Sequence, residues 1–253
     1  MEALTIILVV VVAILIFFLV KYAMSDTTSL QDALQNGQNA TVIKASDLAT
    51  SATPSSNFAY SSWFYVNDWN YRYGEPKVLY GRMGATSSSK ENGSIEGVSG
   101  LDPCPAVVFG AVENNLNISL GCYPGIDQTP TTPGGNTVIH TCVVANVPIQ
   151  KWVHLVISVY GRTLDVYIDG KLVKTCLLPG VANVNPNADL MVTPGGGFDG
   201  WTAKLAYFPN ALNPQEAWNL YTKAPTGWMS NLPSYQVQLS LQENGTTKTS
   251  VTI

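Results

Sequence analysis

The chain has 253 residues, a formal net charge of −4, 46% hydrophobic side chains and only 12% charged ones. Charge at about half the globular average, with no cluster of three Lys or Arg, excludes a nucleic-acid binder, which needs a basic patch or stripe. With 21 Gly and 15 Pro, and a polar surface drawn mainly from Ser, Thr, Asn and Gln, the composition suits a β-rich protein better than a helical enzyme.

Ala3 to Val20 is apolar except for Thr5. As a helix it would span about 27 Å, close to the hydrocarbon thickness of a bilayer. Lys21 and Tyr22 follow as an interfacial pair. Glu2 in place of a basic start, the length of the run and the lack of a small-x-small site argue against a cleaved signal peptide. Residues 1–24 are therefore expected to be a single-pass transmembrane anchor. Lys21 weakly places the C-terminal side in the cytoplasm. Sequons at Asn39, Asn92, Asn117 and Asn244, with four cysteines, permit an exported, oxidising setting instead. Sidedness stays open.

Residues 25–56 are rich in Ser, Thr, Gln, Asn and Ala. Ser29 to Asp32 could start a short helix, but a polar stem spacing the domain off the bilayer is the preferred expectation.

From Phe58 onward, short β-type runs alternate with turn residues. Phe58 to Val66 and Val78 to Tyr80 come first, followed by a Gly/Ser-rich loop from Gly84 to Gly100. Ala106 to Val112 and Leu116 to Cys122 read as a hairpin about Glu113-Asn114-Asn115. Val138 to Val144, Trp152 to Tyr160, Leu164 to Ile168 and Leu172 to Leu178 complete the series, the last two joined by an Asp169-Gly170 turn. Many short strands with frequent turns predict a sandwich or jelly roll. Asn213-Pro214-Gln215-Glu216 then places an N-cap, a proline at the first helical position and a glutamate at the third, so one short helix follows. Tyr235 to Leu241, the Asn244-Gly245 turn and Thr246 to Ile253 predict a hairpin within a 225–253 extension. Its last strand could add to a neighbour's sheet edge or cover an edge of its own sandwich.

Three signals in order carry a family resemblance. They are Lys151-Trp152-Val153-His154 opening one strand, Tyr167-Ile168-Asp169-Gly170 closing a hairpin, and Ala211-Leu212-Asn213-Pro214-Gln215-Glu216 opening the helix. Together with the aromatic strand Phe58 to Val66 and Phe198-Asp199-Gly200-Trp201, they resemble the concanavalin A-like lectin/glucanase superfamily, in its laminin G-like and pentraxin-like branch. The resemblance covers residues 57–224 and implies an all-β, two-sheet antiparallel jelly roll. It also implies a structural role for His154.

Glycosidases of that superfamily use closely spaced carboxylates, commonly E-x-D-x-E, and no such run is present. Asp165 and Asp169 are explained by the strand and its turn, so no catalytic residue is expected and the protein reads as a non-enzyme. His140 and His154 with four scattered cysteines lack zinc spacing. Some family members bind Ca²⁺, but nothing fixes a geometry for Asp102, Asp127 or Asp199, so no cofactor or metal is indicated. Seven aromatics fall between Tyr60 and Tyr73. Phe58, Tyr60, Phe64 and Val66 belong to the core by alternation. Trp69, Tyr71 and Tyr73, beyond the strand, are the candidate ligand or partner contacts. The predicted hairpin brings Cys104 near Cys122 and leaves Cys142 for Cys176. The other two pairings and four free thiols remain alternatives.

These readings converge on a non-enzymatic, membrane-anchored protein for attachment or scaffolding. An N-terminally anchored jelly roll also resembles, in architecture, the membrane-associated minor capsid proteins of large DNA viruses. That resemblance implies a virion component at the interface of an internal membrane and the capsid, with the lipid bilayer and capsid proteins as partners. The alternative is a lectin-like module on a cell or virion surface, with a glycan as partner and Asn39, Asn92, Asn117 and Asn244 as glycosylation sites.

Overall fold

The computed structural model describes residues 29–48, 56–82, 102–131, 134–223, 238–243 and 246–252, the last two stretches by their backbone. The expected anchor lies outside these residues. Among the described residues no helix is long and apolar enough to cross a membrane.

Two antiparallel sheets pack face to face. The first contains β1 (Ser29–Gln31), β2 (Gln35–Asn36), β4 (Phe58–Asp68), β9 (Trp152–Tyr160), β10 (Thr163–Ile168), β11 (Lys171–Leu177) and β13 (Asp199–Phe208). Its order is β1-β13-β4-β9-β10-β11, with β2 also paired to β13. The second contains β3 (Thr41–Ile43), β5 (Lys77–Arg82), β6 (Ala106–Phe109), β7 (Leu116–Cys122), β8 (Val138–Val144) and β12 (Leu190–Val192), in the order β3-β12-β5-β6-β7-β8. β14 (Gln238–Glu243) and β15 (Thr246–Thr252) form a separate antiparallel pair.

Alternation along each strand decides what faces the core, because successive side chains point to opposite faces. Phe58, Tyr60, Phe64 and Val66 of β4 and Val153, Leu155, Ile157 and Val159 of β9 point inward. They meet Leu116, Ile118, Leu120 and Val107 from the second sheet. Aromatic edges interlock at the centre, where Tyr60 lies 5.7 Å from Tyr80 and 5.1 Å from Tyr207 between ring centroids.

Helix α2 (Pro214–Lys223) follows the short α1 (Ala45–Leu48) and lies on the outer face of the first sheet. The capping box forms as the sequence implies. The Glu216 amide donates to Asn213 Oδ1 at 2.9 Å, and the Asn213 amide donates to Glu216 Oε2 at 2.7 Å. Asp169 and Gly170 have φ of 50° and 74°, the paired positive values that a two-residue turn needs. A Cβ on Gly170 would meet Trp218 Cε3 at 2.9 Å, so the turn also needs glycine to pass beneath α2.

The expected stem is built into the sandwich instead. β1 and β2 pair with β13 on one edge of the first sheet, and β3 pairs with β12 on the matching edge of the second. β1, β3 and α1 each have an apolar side chain to bury: Leu30 packs against the core, Ile43 is 8% exposed and Leu48 is 2% exposed. Ser29 does not cap a helix, and its hydroxyl donates to the Asp32 carboxylate. On the opposite side of the sandwich a disulfide joins Cys142 of β8 to Cys176 of β11, two edge strands of different sheets, with Cα atoms 6.1 Å apart.

Cys104 and Cys122 are free, buried thiols, so the expected bridge between them is not formed. The register explains this. Ala106 faces Ser119, and the Gly121 amide donates to the Pro103 carbonyl. Gly121, with no side chain, thus stands across from the Cys104 region, and Cys122 is displaced from it. Burial raises both thiol pKa values, that of Cys122 to about 11.

Candidate functional site: the outer face of the first sheet

Outward positions of the first sheet gather a different set of residues. Trp201 of β13 faces Tyr65 of β4, which faces Trp152 of β9. The three rings form a row across three strands, with centroids 5.6 and 5.7 Å apart, and all three are half-buried. The Trp152 indole N–H has no hydrogen-bond partner.

One step along the strands, Ala203, Trp63 and His154 form the next row. Tyr221 from α2 stacks on Trp63 at 5.8 Å and 17°. Farther across the sheet α2 buries Ala217 against Val156 and Tyr167. Small Ala206 leaves space beside Trp63. A cavity of about 350 Å³ opens there, floored by Ser61, Trp63 and His154 and flanked by Lys204, Phe208 and Lys223.

His154 is 1% exposed. Its Nε2 is 2.8 Å from Ser61 Oγ, its amide donates to Asp169 Oδ1 at 2.9 Å, and its Nδ1 has no partner. Burial pulls its pKa down to about 4, against the opposing pull of the Asp169 carboxylate. The ring is neutral at physiological pH. The unfolded chain binds a proton near pH 6.5, whereas the folded chain binds it only near pH 4. This contribution to stability is present above pH 6.5 and is lost as pH falls towards 4, by about 3 kcal/mol. Urea unfolding at pH 7.5 and 4.5 is expected to show a loss in the wild type that His154→Gln lacks. Identical pH dependence in the two proteins would remove His154 from the account.

The candidates from the sequence are placed differently. Trp69 donates its indole N–H to the Val112 carbonyl at 2.9 Å and sets its ring edge against Phe109. It also covers the Lys77 ammonium, 4.7 Å from its centroid. Lys77 is fully buried without a hydrogen-bond partner, and burial lowers its pKa. Trp69 is thereby committed to structure on one side, although it lines an open cleft with Asn114, Asn146 and Ile149. The Tyr71 hydroxyl donates to the Gly196 carbonyl at 3.1 Å, and Tyr73 stands 58% exposed. Neither lines that cleft, so the three do not form one platform.

Asp165 accepts from the Thr175 hydroxyl at 2.6 Å, and Asp169 pairs with Lys151 at 3.1 Å. Asp102 accepts from Thr137 and Asp199 from Asn67, while Asp127 sits in an exposed turn. Among the described residues no cluster of three or more His, Cys, Asp or Glu is placed to hold a metal. Asn39 is exposed and Asn117 is half-buried in mid-strand. Asn92 and Asn244 lie outside the described residues.

The row of Tyr65, Trp152 and Trp201 was missed as a site because these residues read as fold markers. All three lie within the segments that carry the family resemblance.

No protein-family model matches the chain, and no curated protein matches it by sequence. Solved structures do share its fold. The receptor-binding domain of botulinum neurotoxin D has a TM-score of 0.52 at 11% identity, over 77% of this chain and 52% of that one. The serotype D ligand-binding domain in complex with N-acetylneuraminic acid has 0.51 at 12%, over 78% and 50%. The binding domain of botulinum neurotoxin DC in complex with rat synaptotagmin II has 0.51 at 13%, over 78% and 51%. This chain therefore spans about half the length of those domains, and what it shares with them is the two-sheet β-sandwich fold.

Proposed function

We propose that the chain is a membrane-tethered, non-catalytic recognition module that binds carbohydrate on the outer face of its first sheet. The observation that carries this reading is the half-exposed row Trp201–Tyr65–Trp152. Three adjacent rings, tilted 55° and 60° to one another, leave part of their apolar surface open for a sugar ring to pack against. The solved domains of the same fold are receptor-binding domains, one complexed with N-acetylneuraminic acid, which supports the reading at the level of fold. The apolar run from Ala3 to Val20 would supply the tether.

Binding of the full chain in detergent to an immobilised glycan panel tests this. Trp201→Ala and Trp152→Ala are each expected to weaken the strongest interaction about tenfold or more, as loss of an aromatic anchor does. Binding that survives both substitutions, or a panel with no binder, would overturn the reading.

A second reading, a minor capsid component linking an internal virion membrane to the protein shell, is favoured by one observation. Among the described residues β14 and β15 pair only with each other, and an isolated two-stranded hairpin is marginally stable in water. A partner protein's sheet edge would complete it. Deleting residues 238–252 should then abolish association with the shell and leave glycan binding intact.

A further inference from the structure

The cavity beside the aromatic row has features that core packing does not require. Lys204 lies within β13, where the register with β4 slips between Ala203 and Ala206. Its φ is 49°, a left-handed conformation that side chains with a Cβ rarely adopt. A bulge of this kind re-aims a side chain, and strained backbone of this kind collects at binding sites. Here Lys204 flanks the cavity, with Lys223 from the last turn of α2 also lining it. Among the described residues neither ammonium has a carboxylate within 4.0 Å, although three other cations do. The acidic group that lines the cavity, Asp32, already accepts a hydrogen bond from Ser29. At the floor lies His154, buried and with one ring nitrogen unpartnered.

From this arrangement we infer that the cavity is a site for one acidic sugar, its negative group between Lys204 and Lys223 and its ring against Trp63 and Phe208. About 350 Å³ is at the small end of ligand cavities, which suits a single ring rather than a chain of them. Two ammonium groups beside one cavity favour a carboxylate, sulfate or phosphate through charge-assisted hydrogen bonds, and their access to water makes the contact sensitive to salt. This inference rests on the carbohydrate-recognition reading and adds a requirement for charge to it. Ser29 follows Lys21 by eight residues, a reach of at most about 28 Å. An acidic glycolipid in the same membrane and a free acidic oligosaccharide are therefore both sources of the same chemistry.

The test uses the full chain in detergent with two matched pairs of probes, lactose with 3′-sialyllactose and cellobiose with cellobiouronic acid. In at least one pair the acidic member is expected to bind about tenfold or more tighter, with the advantage shrinking as salt is raised. Lys204→Gly removes the ammonium while glycine tolerates the left-handed backbone. It should unfold at the same temperature or higher, lose the acidic advantage and keep the affinity for the neutral probe. Lys223→Gln should reduce the same advantage, and Lys204→Arg should retain it. In a parallel arm, the chain reconstituted in vesicles carrying a monosialylated glycolipid reports the source, and capture there must also be lost in Lys204→Gly. An acidic-to-neutral ratio near one in both pairs, or one unchanged in Lys204→Gly, overturns the inference. If Trp201→Ala still abolishes binding in that case, the recognition reading stands without the charged cavity. If none of the four probes binds, the inference falls, and the glycan panel decides the recognition reading.

Discussion

Phe109→Ala is expected to destabilise the domain by about 3–5 kcal/mol, the usual cost of emptying a buried aromatic site. Phe109 ends β6 and is 1% exposed. Its ring meets those of Phe64 at 5.3 Å, Phe198 at 5.2 Å and Trp69 at 6.1 Å, all three near-perpendicular edge contacts. These partners come from β4, the residue just before β13 and the segment after β4, so a single ring joins both sheets and an end loop. Little can collapse into the space it leaves, because each neighbour is held by its own strand. Loss of support beneath Trp69 should also loosen its cover over Lys77. In a domain of this size each kcal/mol lowers the melting temperature by about 2–4 °C, so calorimetry should see a fall of about 6–20 °C. A loss below about 1 kcal/mol in urea unfolding would show that this junction is not packed as described.

The second large effect concerns the disulfide. Cys142 and Cys176 are 34 residues apart in sequence, and closing a loop of that length stabilises by about 4 kcal/mol through the entropy of the unfolded chain. The bridge ties β8 to β11, edge strands of the two sheets, where β11 is exposed along nearly its whole length. Cys142→Ser with Cys176→Ser, or addition of a reductant to the wild type, should lower the melting temperature by about 8–16 °C. The double variant should be indifferent to reductant. Thiol labelling provides an independent check. Unreduced native protein should react at neither Cys104 nor Cys122, since burial disfavours both thiolates, whereas unfolding without reduction should expose two thiols. Four labelled thiols in unreduced, unfolded protein would mean that the bridge is absent.

Much of the architecture was legible because its signals are local. The strand from Trp152 to Tyr160 and that from Val138 to Val144 have the same ends in the sequence reading and in the structure. The Asp169-Gly170 turn and the Asn213–Glu216 capping box were equally plain, since each concerns a handful of adjacent backbone groups. Residues 29–48 were not legible as strands. Each strand there is only two or three residues long, and it becomes ordered by pairing with β13 or β12, far away in sequence.

The sequence by itself determined the all-β sandwich class, the turn and cap positions, and which residues of each strand share a face, because period-two alternation and capping chemistry act over a few residues. Only the tertiary structure decided which faces meet. The aromatic row needs Tyr65, Trp152 and Trp201 in register across three strands, and the cavity needs a bulge at Lys204 beside the last turn of α2. Cysteine pairing depended in the same way on the strand register and on which edges lie together. Such placements follow from the order of the strands and the twist and packing of whole sheets, which no short window of residues encodes.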